Sequence, residues 1–516
     1  MSTVLLHVGQ AGNQIGQELW TLLLEESPMK ENIFFDKFTN KARAVLVDSE
    51  PKVVKHIMED KNISFIFDQQ NLQYTQSGRG NNWALGYSAT YREPTDPHIG
   101  AGADESMPLY ERALEALRKE AEKADYFLGV MLVHSLAGGT GSGLGSRLIE
   151  SYRDTFGKAY LATTSVWPHS SGETPLQHYN TCFSMSRLQE NADAVLLFQN
   201  ETIMKTLSKL ITLKSTAQGH KDHHAINMAS AVTMKNLNES IVTVLRHVMQ
   251  PAKEEKFDFS ELMNLACMPA YKMLEAHTNP LLFNRHMCYA GEKSWSAVVD
   301  GALSQVQLPA TQEPLFRPIP KPSKPAGTVI PGSTTKFIPK EEHKEDTQQA
   351  IADSKKREGV KRFEEWFEGE MAGPQKVEAF SQLEKQHQTI CTTAYFKGID
   401  ATEEISRTQP TYKSFRDRLT QRFKTVNWNP ASESTTVRII EEAPFRRFDC
   451  TRSATVIGNR TSISLPIRKL LDTSIQKFHA KAYLHWYSQY GIEKDDFLHT
   501  FESLRGVIDA YESALL

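Results

Sequence analysis

Ala137-Gly-Gly-Thr-Gly-Ser-Gly143 sits between an apolar run and an amphipathic one. Before it, Tyr126-Phe-Leu-Gly-Val-Met-Leu-Val-His134 reads as a buried strand; after it, Leu144-Gly-Ser-Arg-Leu-Ile-Glu-Ser-Tyr152 reads as the first turns of a helix. Glycines at 138, 139, 141 and 143 remove the Cβ atoms that would block close backbone approach. N–H groups at the helix start then face an anion, with the helix dipole in support. Thr140 and Ser142 add hydroxyl donors. A phosphate cradle is the functional reading, and a plain tight turn is the alternative. Two common phosphate motifs are excluded. A P-loop needs Lys and then Ser or Thr after its last glycine, where this chain has Leu144 and Gly145. The dinucleotide fingerprint fails because Ser146 stands at its third glycine.

Three further segments repeat the design. Val4-Leu-Leu-His-Val8 reads as a strand, and Gly9-Gln-Ala-Gly-Asn-Gln-Ile-Gly16 as a turn into a helix over 17–26. The strand Arg43–Val47 ends in Asp48-Ser-Glu50-Pro51, placing carboxylates where open α/β sheets hold ligands. Opposite phosphates such acids suit Mg²⁺, often through its waters; a helix N-cap with Pro51 in the first turn is the structural alternative. Gln76–Gly86, rich in glycine and amides, reads as a loop over a terminal phosphate or as an ordinary turn. Four such segments within the first 145 residues are far more specific together than any one alone.

The remaining composition sets bounds. At 516 residues the chain has room for two to four domains. Lys+Arg 59 against Asp+Glu 62 gives a formal charge of −3, so global charge points to neither nucleic acid nor membrane. Five cysteines, without CxxC pairing or His clustering, suit reduced thiols better than disulfides or zinc. The N-terminal stretch lacks a basic n-region, and no apolar run approaches a membrane span, so a cytosolic protein is expected.

GQAGNQIG (9–16), LVDSEP (46–51), GRGNNWALGY (78–87) and HSLAGGTGSG (134–143) resemble, in order, the nucleotide loops of the tubulin family. LQHYN (176–180), FQNE (198–201) and AYLHWY (482–487) extend the resemblance along most of the chain. The resemblance implies an α/β fold: a doubly wound, mostly parallel GTP-binding sheet domain, then an α+β domain and C-terminal helices. The implied boundaries are residues 1–226 for the GTP-binding domain and 227–464 for the core helix and intermediate domain. An insertion at about 304–387 interrupts the latter, and 465–516 form the C-terminal helical region.

Site residues follow from the same resemblance. It implies that Gln10 and Ala11 contact phosphates and magnesium, and that Gln14 lies near the base. Asp48 and Glu50, with Gln10, would organise Mg²⁺, partly through water, and Asn81 would reach phosphate. Gly138, Gly139, Thr140, Gly141 and Ser142 match the phosphate cradle, with Ala137 in place of its usual first glycine. Asn200 and Asn227 match the pair reading guanine or ribose, and His223 falls where an aromatic stacks on the base. GTP or GDP with Mg²⁺ is the implied ligand. Asp258-Phe-Ser-Glu261 resembles the loop that completes a neighbouring subunit's site, with Glu261 acting on the attacking water. The glycine and asparagine that precede it in the family are absent, and a helix N-cap with a first-turn acid is the structural alternative.

Other departures concern assembly. The loop between Trp20 and Ala44 is shorter than in α- or β-tubulin. Residues 308–340 hold prolines at 309, 314, 318, 320, 322, 325, 331 and 339, which reads as a disordered or polyproline-like linker. PIPKPSKP within it is a polyproline-ligand pattern, and Phe363, Trp366 and Phe367 share one face of an amphipathic helix candidate. Helices are expected over 465–488, with Ile467, Leu470, Leu471, Phe478 and Leu484 in one apolar stripe, and over 495–514. The ending Ser513-Ala-Leu-Leu516 gives no expectation of the acidic tail of conventional tubulins. These features resemble the delta, epsilon and zeta branches, with zeta ahead of delta. That group implies centrioles, basal bodies and cilia, and other tubulin subunits or centriolar proteins as partners. Two functions are expected from it: a structural GTP-binding subunit with slow or partner-dependent hydrolysis, or a self-polymerising, assembly-coupled GTPase.

Overall fold

A computed structural model describes residues 2–26, 34–88, 107–169, 172, 174–217, 232–249, 259–266, 269–281, 294–305, 387–398, 400–405, 410–422, 424–430, 434–441 and 451–515. The first half alternates strand and helix. Strand β1 (Ser2–Val8) runs directly into α1 (Gly9–Glu26), and β2 (Ala44–Asp48) leads to α2 (Pro51–Glu59). Next come β3 (Leu72–Tyr74), the short α3 (Trp83–Tyr87) and α4 (Leu109–Glu122). Strand β4 (Phe127–Ser135) precedes α5 (Gly145–Thr155), β5 (Tyr160–Trp167) precedes α6 (Gln177–Asn191), and β6 (Ala194–Gln199) precedes α7 (Asn200–Ala217).

The second half is mixed. It begins with α8 (Met234–Met249), α9 (Phe259–Leu265), β7 (Met273–Asn279) and α10 (Trp295–Gln305). Strand β8 (Thr389–Gly398), helices α11 (Ala401–Ile405) and α12 (Pro410–Arg422), and strands β9 (Thr435–Ile440) and β10 (Arg452–Arg460) follow. Helices α13 (Ser464–His479), α14 (Leu484–Ser488) and α15 (Lys494–Ser513) close the chain.

Among the described residues the strands form one ten-stranded sheet in the order β3-β2-β1-β4-β5-β6-β7-β10-β8-β9. Pairing is parallel from β3 to β7; β10 is antiparallel to both neighbours, and β8 and β9 are again parallel. From β1 the chain builds outward through β2 and β3, then returns to β4 on the other side of β1 and continues to β5 and β6. This reversal between β1 and β4 is a topological switch point, where doubly wound sheets open a crevice at their strand ends. The parallel strands are buried throughout their centres: Val130–Val133 of β4 and Val45 and Val47 of β2 are essentially inaccessible. Such unbroken apolar runs are what covering a parallel sheet with helices on both faces requires.

Two expected elements differ. The segment Gly9–Gly16 is not a turn before a helix but the first two turns of α1 itself. Its glycines serve packing: a Cβ on Gly12 would sit 2.2 Å from the Val133 carbonyl oxygen, and one on Gly16 would meet the His7 ring at 2.6 Å. The C-terminal helix expected over 465–488 breaks after His479, because Lys481 and Tyr483 take left-handed backbone conformations, φ 53° and 62°. Ile467, Leu470, Leu471 and Phe478 are buried on α13 as the stripe required, while Leu484 falls on α14. The proline-rich stretch 308–340, PIPKPSKP and the Phe363–Phe367 helix candidate lie outside the described residues.

Candidate phosphate-binding site

The expected loops converge at the carboxyl ends of the parallel strands. Gly9 follows β1, Asp48 ends β2, Ala137 follows β4, and Asn200 opens α7 just past β6. Gly9 has φ 75°, and a Cβ there would lie 2.8 Å from the Gly141 backbone nitrogen. Loop one and the glycine cradle are thus in backbone contact at the β1/β4 switch point. Gln10 is exposed beside this contact, and Ala11 and Gln14 are half-buried on α1. Asn13 ties the strand ends together, donating its Nδ2 hydrogens to the Gly9 and Val47 carbonyls at 3.0 Å each.

The cradle opens α5 with a widened turn. Thr140–Leu144 forms π-helical backbone, and the Gly145 N–H reaches the Thr140 carbonyl five residues back. Its carbonyls are engaged on the protein side. The Gly138 carbonyl accepts from Ser142 Oγ, the Gly139 carbonyl from the Gly143 N–H, and the Gly141 carbonyl from His134 Nδ1 at 2.8 Å. The first N–H groups of a helix have no intrahelical partner, which is what makes such a start able to hold an anion. Gly138 faces open space: a Cβ added there meets only Asn81 Oδ1, at 3.9 Å. Gly139 and Gly143 are closed in instead, with Cβ positions 2.5 Å from the Arg79 carbonyl and 2.2 Å from the Trp83 carbonyl. Asn81 itself is exposed and left-handed (φ 51°), so its side chain overhangs Gly138.

The acidic edge lies across from the cradle. Ser49 Oγ and Thr140 Oγ1 share a 2.5 Å hydrogen bond, fixing the Asp48–Glu50 turn against the cradle. Asp48 is buried, and that desolvation pushes its carboxyl up to about 7; the neighbouring Glu50 charge adds to the rise, against hydrogen bonds from the Glu50 and Ser49 N–H groups and Asn13. Glu50 occupies the N-cap position of α2 with Pro51 in the first turn, as the structural alternative required, yet its side chain makes no capping bond. It is exposed and lies 3.3 Å from the Cβ position of Gly78, which has φ 60°. A desolvated carboxyl beside a second acid, opposite an anion cradle, fits a hard divalent cation held by oxygen ligands. Among the described residues no group of three His, Cys, Asp or Glu could hold a metal by itself, so phosphate oxygens and water would complete the shell.

Residues 2–208 match the profile of the Tubulin/FtsZ family, GTPase domain. The "Tubulin delta chain" of Homo sapiens is 26% identical over 542 residues, covering 99% of each chain. The "Tubulin delta chain" of Mus musculus is 24% identical over 542 residues with the same coverage. A "Tubulin beta chain" of Aspergillus fumigatus is 31% identical over 247 residues, 44% of this chain and 52% of that one. The family match over residues 2–208 and the full-length likeness to delta chains support a place for the chain in the tubulin superfamily. The same matches support a non-conventional, GTP-binding tubulin-family subunit.

Within this tubulin-type domain, three residues were not singled out from the sequence. His134 is fully buried and burial lowers it to about 4, so it is neutral near pH 7. The Gly141 carbonyl can only accept, so Nδ1 carries the proton, and Nε2 accepts from Ser165 Oγ at 2.8 Å. Ser49 braces Thr140 as described, and Asn180 joins the cradle to the Asn81 loop. His134 and Asn180 stand inside the quoted motifs, but motif matching gave neither a role. His223, Asn227 and Asp258 lie outside the described residues. Glu261 falls in the first turn of α9. Cys182 and Cys391 are buried thiols outside any disulfide. No helix among the described residues is long and apolar enough to cross a membrane.

Proposed function

We propose that this chain is a structural GTP-binding tubulin subunit whose nucleotide serves mainly as a conformational or interface element, with slow or partner-dependent hydrolysis. The observation carrying this reading is the convergence of Gly9, Asp48, Asn81 and the Gly138–Ser142 cradle at the β1/β4 switch point. In this reading Gln10, Ala11, Asn81 and Gly138–Ser142 hold the phosphates. Asp48, Glu50 and Gln10 hold Mg²⁺, directly or through water, and its charge offsets that of the phosphates. Gln14, Asn200, His223 and Asn227 surround the guanosine. The domain limits proposed are 1–226, 227–464 with an insertion at about 304–387, and 465–516.

Full-length likeness to delta chains supports a non-conventional branch of the family, with zeta and delta both retained as readings. The cytoskeleton, and within it centrioles, basal bodies and cilia, is the proposed location, with other tubulin subunits or centriolar proteins as partners. Lys253-Glu-Glu-Lys256 in place of the family's glycine and asparagine favours the structural role over self-driven polymerisation. The second reading, head-to-tail assembly with Glu261 completing a neighbour's site, rests on the resemblance of Asp258-Phe-Ser-Glu261 to the family's loop; the place of Glu261 in the first turn of α9 is what the structural alternative expects.

GTP turnover per chain, followed as protein concentration rises, separates the two. The proposal predicts low turnover independent of concentration while nucleotide stays bound. Turnover that climbs with concentration and is lost in Glu261→Ala would replace it with the assembly-coupled GTPase.

A further inference from the structure

Asn180 sits on α6, fully buried, at a point where three segments distant in sequence meet. Its Oδ1 accepts from the Trp83 backbone N–H at 2.8 Å and from the Tyr487 hydroxyl at 2.6 Å. Its Nδ2 donates to the Asn81 carbonyl at 2.8 Å and to the Ala137 carbonyl at 2.7 Å. The amide orientation is forced by its neighbours: a backbone N–H can only donate and two carbonyls can only accept. All four hydrogen-bonding positions of a buried amide are therefore filled, which offsets the cost of burying it.

The partners are what distinguish this amide from an ordinary core polar group. Ala137 begins the glycine cradle, while Asn81 overhangs it from the opposite loop. Asn180 holds the carbonyls of both, one on each Nδ2 hydrogen, and so sets the gap between them. The third partner, Tyr487, belongs to α14, whose neighbour Trp486 accepts from Asn82 Nδ2 through its carbonyl at 2.8 Å. Aromatic packing runs in parallel: Trp83 stacks on Phe183 at 4.6 Å, and Phe183 on Tyr487 at 5.7 Å.

We propose that Asn180 is a positioning residue for the nucleotide phosphates, fixing the spacing between the cradle and the Asn81 loop and coupling both to the Tyr487 segment. This rests on the GTP-site reading above. Asn180 lies beneath the backbone it holds, so its effect falls on the phosphates, with the base and ribose contacts elsewhere left in place. Asn180→Ala removes all four bonds; Tyr487→Phe removes one and leaves the packing.

The test is equilibrium binding of GTP and of GMP to the full-length chain and its variants, with thermal unfolding as a check on folding. Asn180→Ala should weaken GTP about tenfold or more while GMP changes little, and Tyr487→Phe should weaken GTP about threefold. The double variant should be no weaker than Asn180→Ala alone, since both act through one network. Equal losses for GTP and GMP, or additive effects, would overturn the positioning role. If Asn180→Ala fails to fold, Tyr487→Phe decides: GTP affinity equal to wild type overturns the proposal. Wild-type protein that binds neither nucleotide would instead sink the GTP-site reading itself.

Discussion

At the scale of single residues, the site is organised by side chains that never face the ligand space. His134 is one: neutral because it is buried, it holds the Gly141 carbonyl through Nδ1–H and thereby the wide turn of the cradle. Its pKa, lowered from 6.5 to about 4, means the unfolded chain binds a proton that the folded chain refuses. The stability it contributes is present above pH 6.5 and is lost as pH falls through 4. His134→Gln should make the pH dependence of thermal unfolding shallower between those limits, by about 1.4 kcal/mol per pH unit at most. An unchanged slope would show that His134 is charged or solvated in the folded state. The role of His134 was not readable from the sequence, although the residue opens a quoted motif. Nor was that of Asn180, whose partners lie 97 and 307 residues away. Residue type and spacing announce groups that touch a ligand directly; groups that hold those groups are defined by long-range contacts.

At the scale of elements, glycine does two different jobs in motifs that look alike. Gly12, Gly16 and Gly143 allow secondary-structure elements to pack closely, whereas Gly138 leaves space for a ligand. The contrast gives paired expectations. Gly143→Ala would drive a Cβ into the Trp83 carbonyl and should destabilise the fold by about 2 kcal/mol or more, read as a lowered unfolding midpoint. Gly138→Ala should leave the unfolding of nucleotide-free protein near wild type and yet weaken GTP binding, by filling the cradle. A large stability loss for Gly138→Ala would remove it from the phosphate site. Strand-to-helix order around the cradle was legible because apolar runs and glycine punctuation mark it. The helical start of α1 was not, because GQAGNQIG carries turn residues whose glycines answer to Val133 and His7 in other strands. The break after His479 was hidden for a related reason: Lys481 and Tyr483 adopt left-handed backbone without the glycine that usually signals it.

At the scale of the whole molecule, the parallel half of the sheet follows from alternating strands and helices, and its switch point locates the site. The addition of β10, β8 and β9 beyond β7 was less legible, since strands paired across an insertion of this length have no local signal. The tubulin resemblance supplied the fold class, and the match over residues 2–208 and the ten-stranded, mostly parallel sheet bear out that α/β class. The convergence of these loops implies one guanine nucleotide held by the cradle at the β1/β4 junction. The most direct measurement is the nucleotide extracted from purified full-length protein, identified and quantified for wild type and for Gly138→Ala. Wild type should carry stoichiometric GTP or GDP, and the folded variant a strongly reduced content. Folded wild-type protein that carries no guanine nucleotide, and takes up none when it is supplied with Mg²⁺, would contradict it.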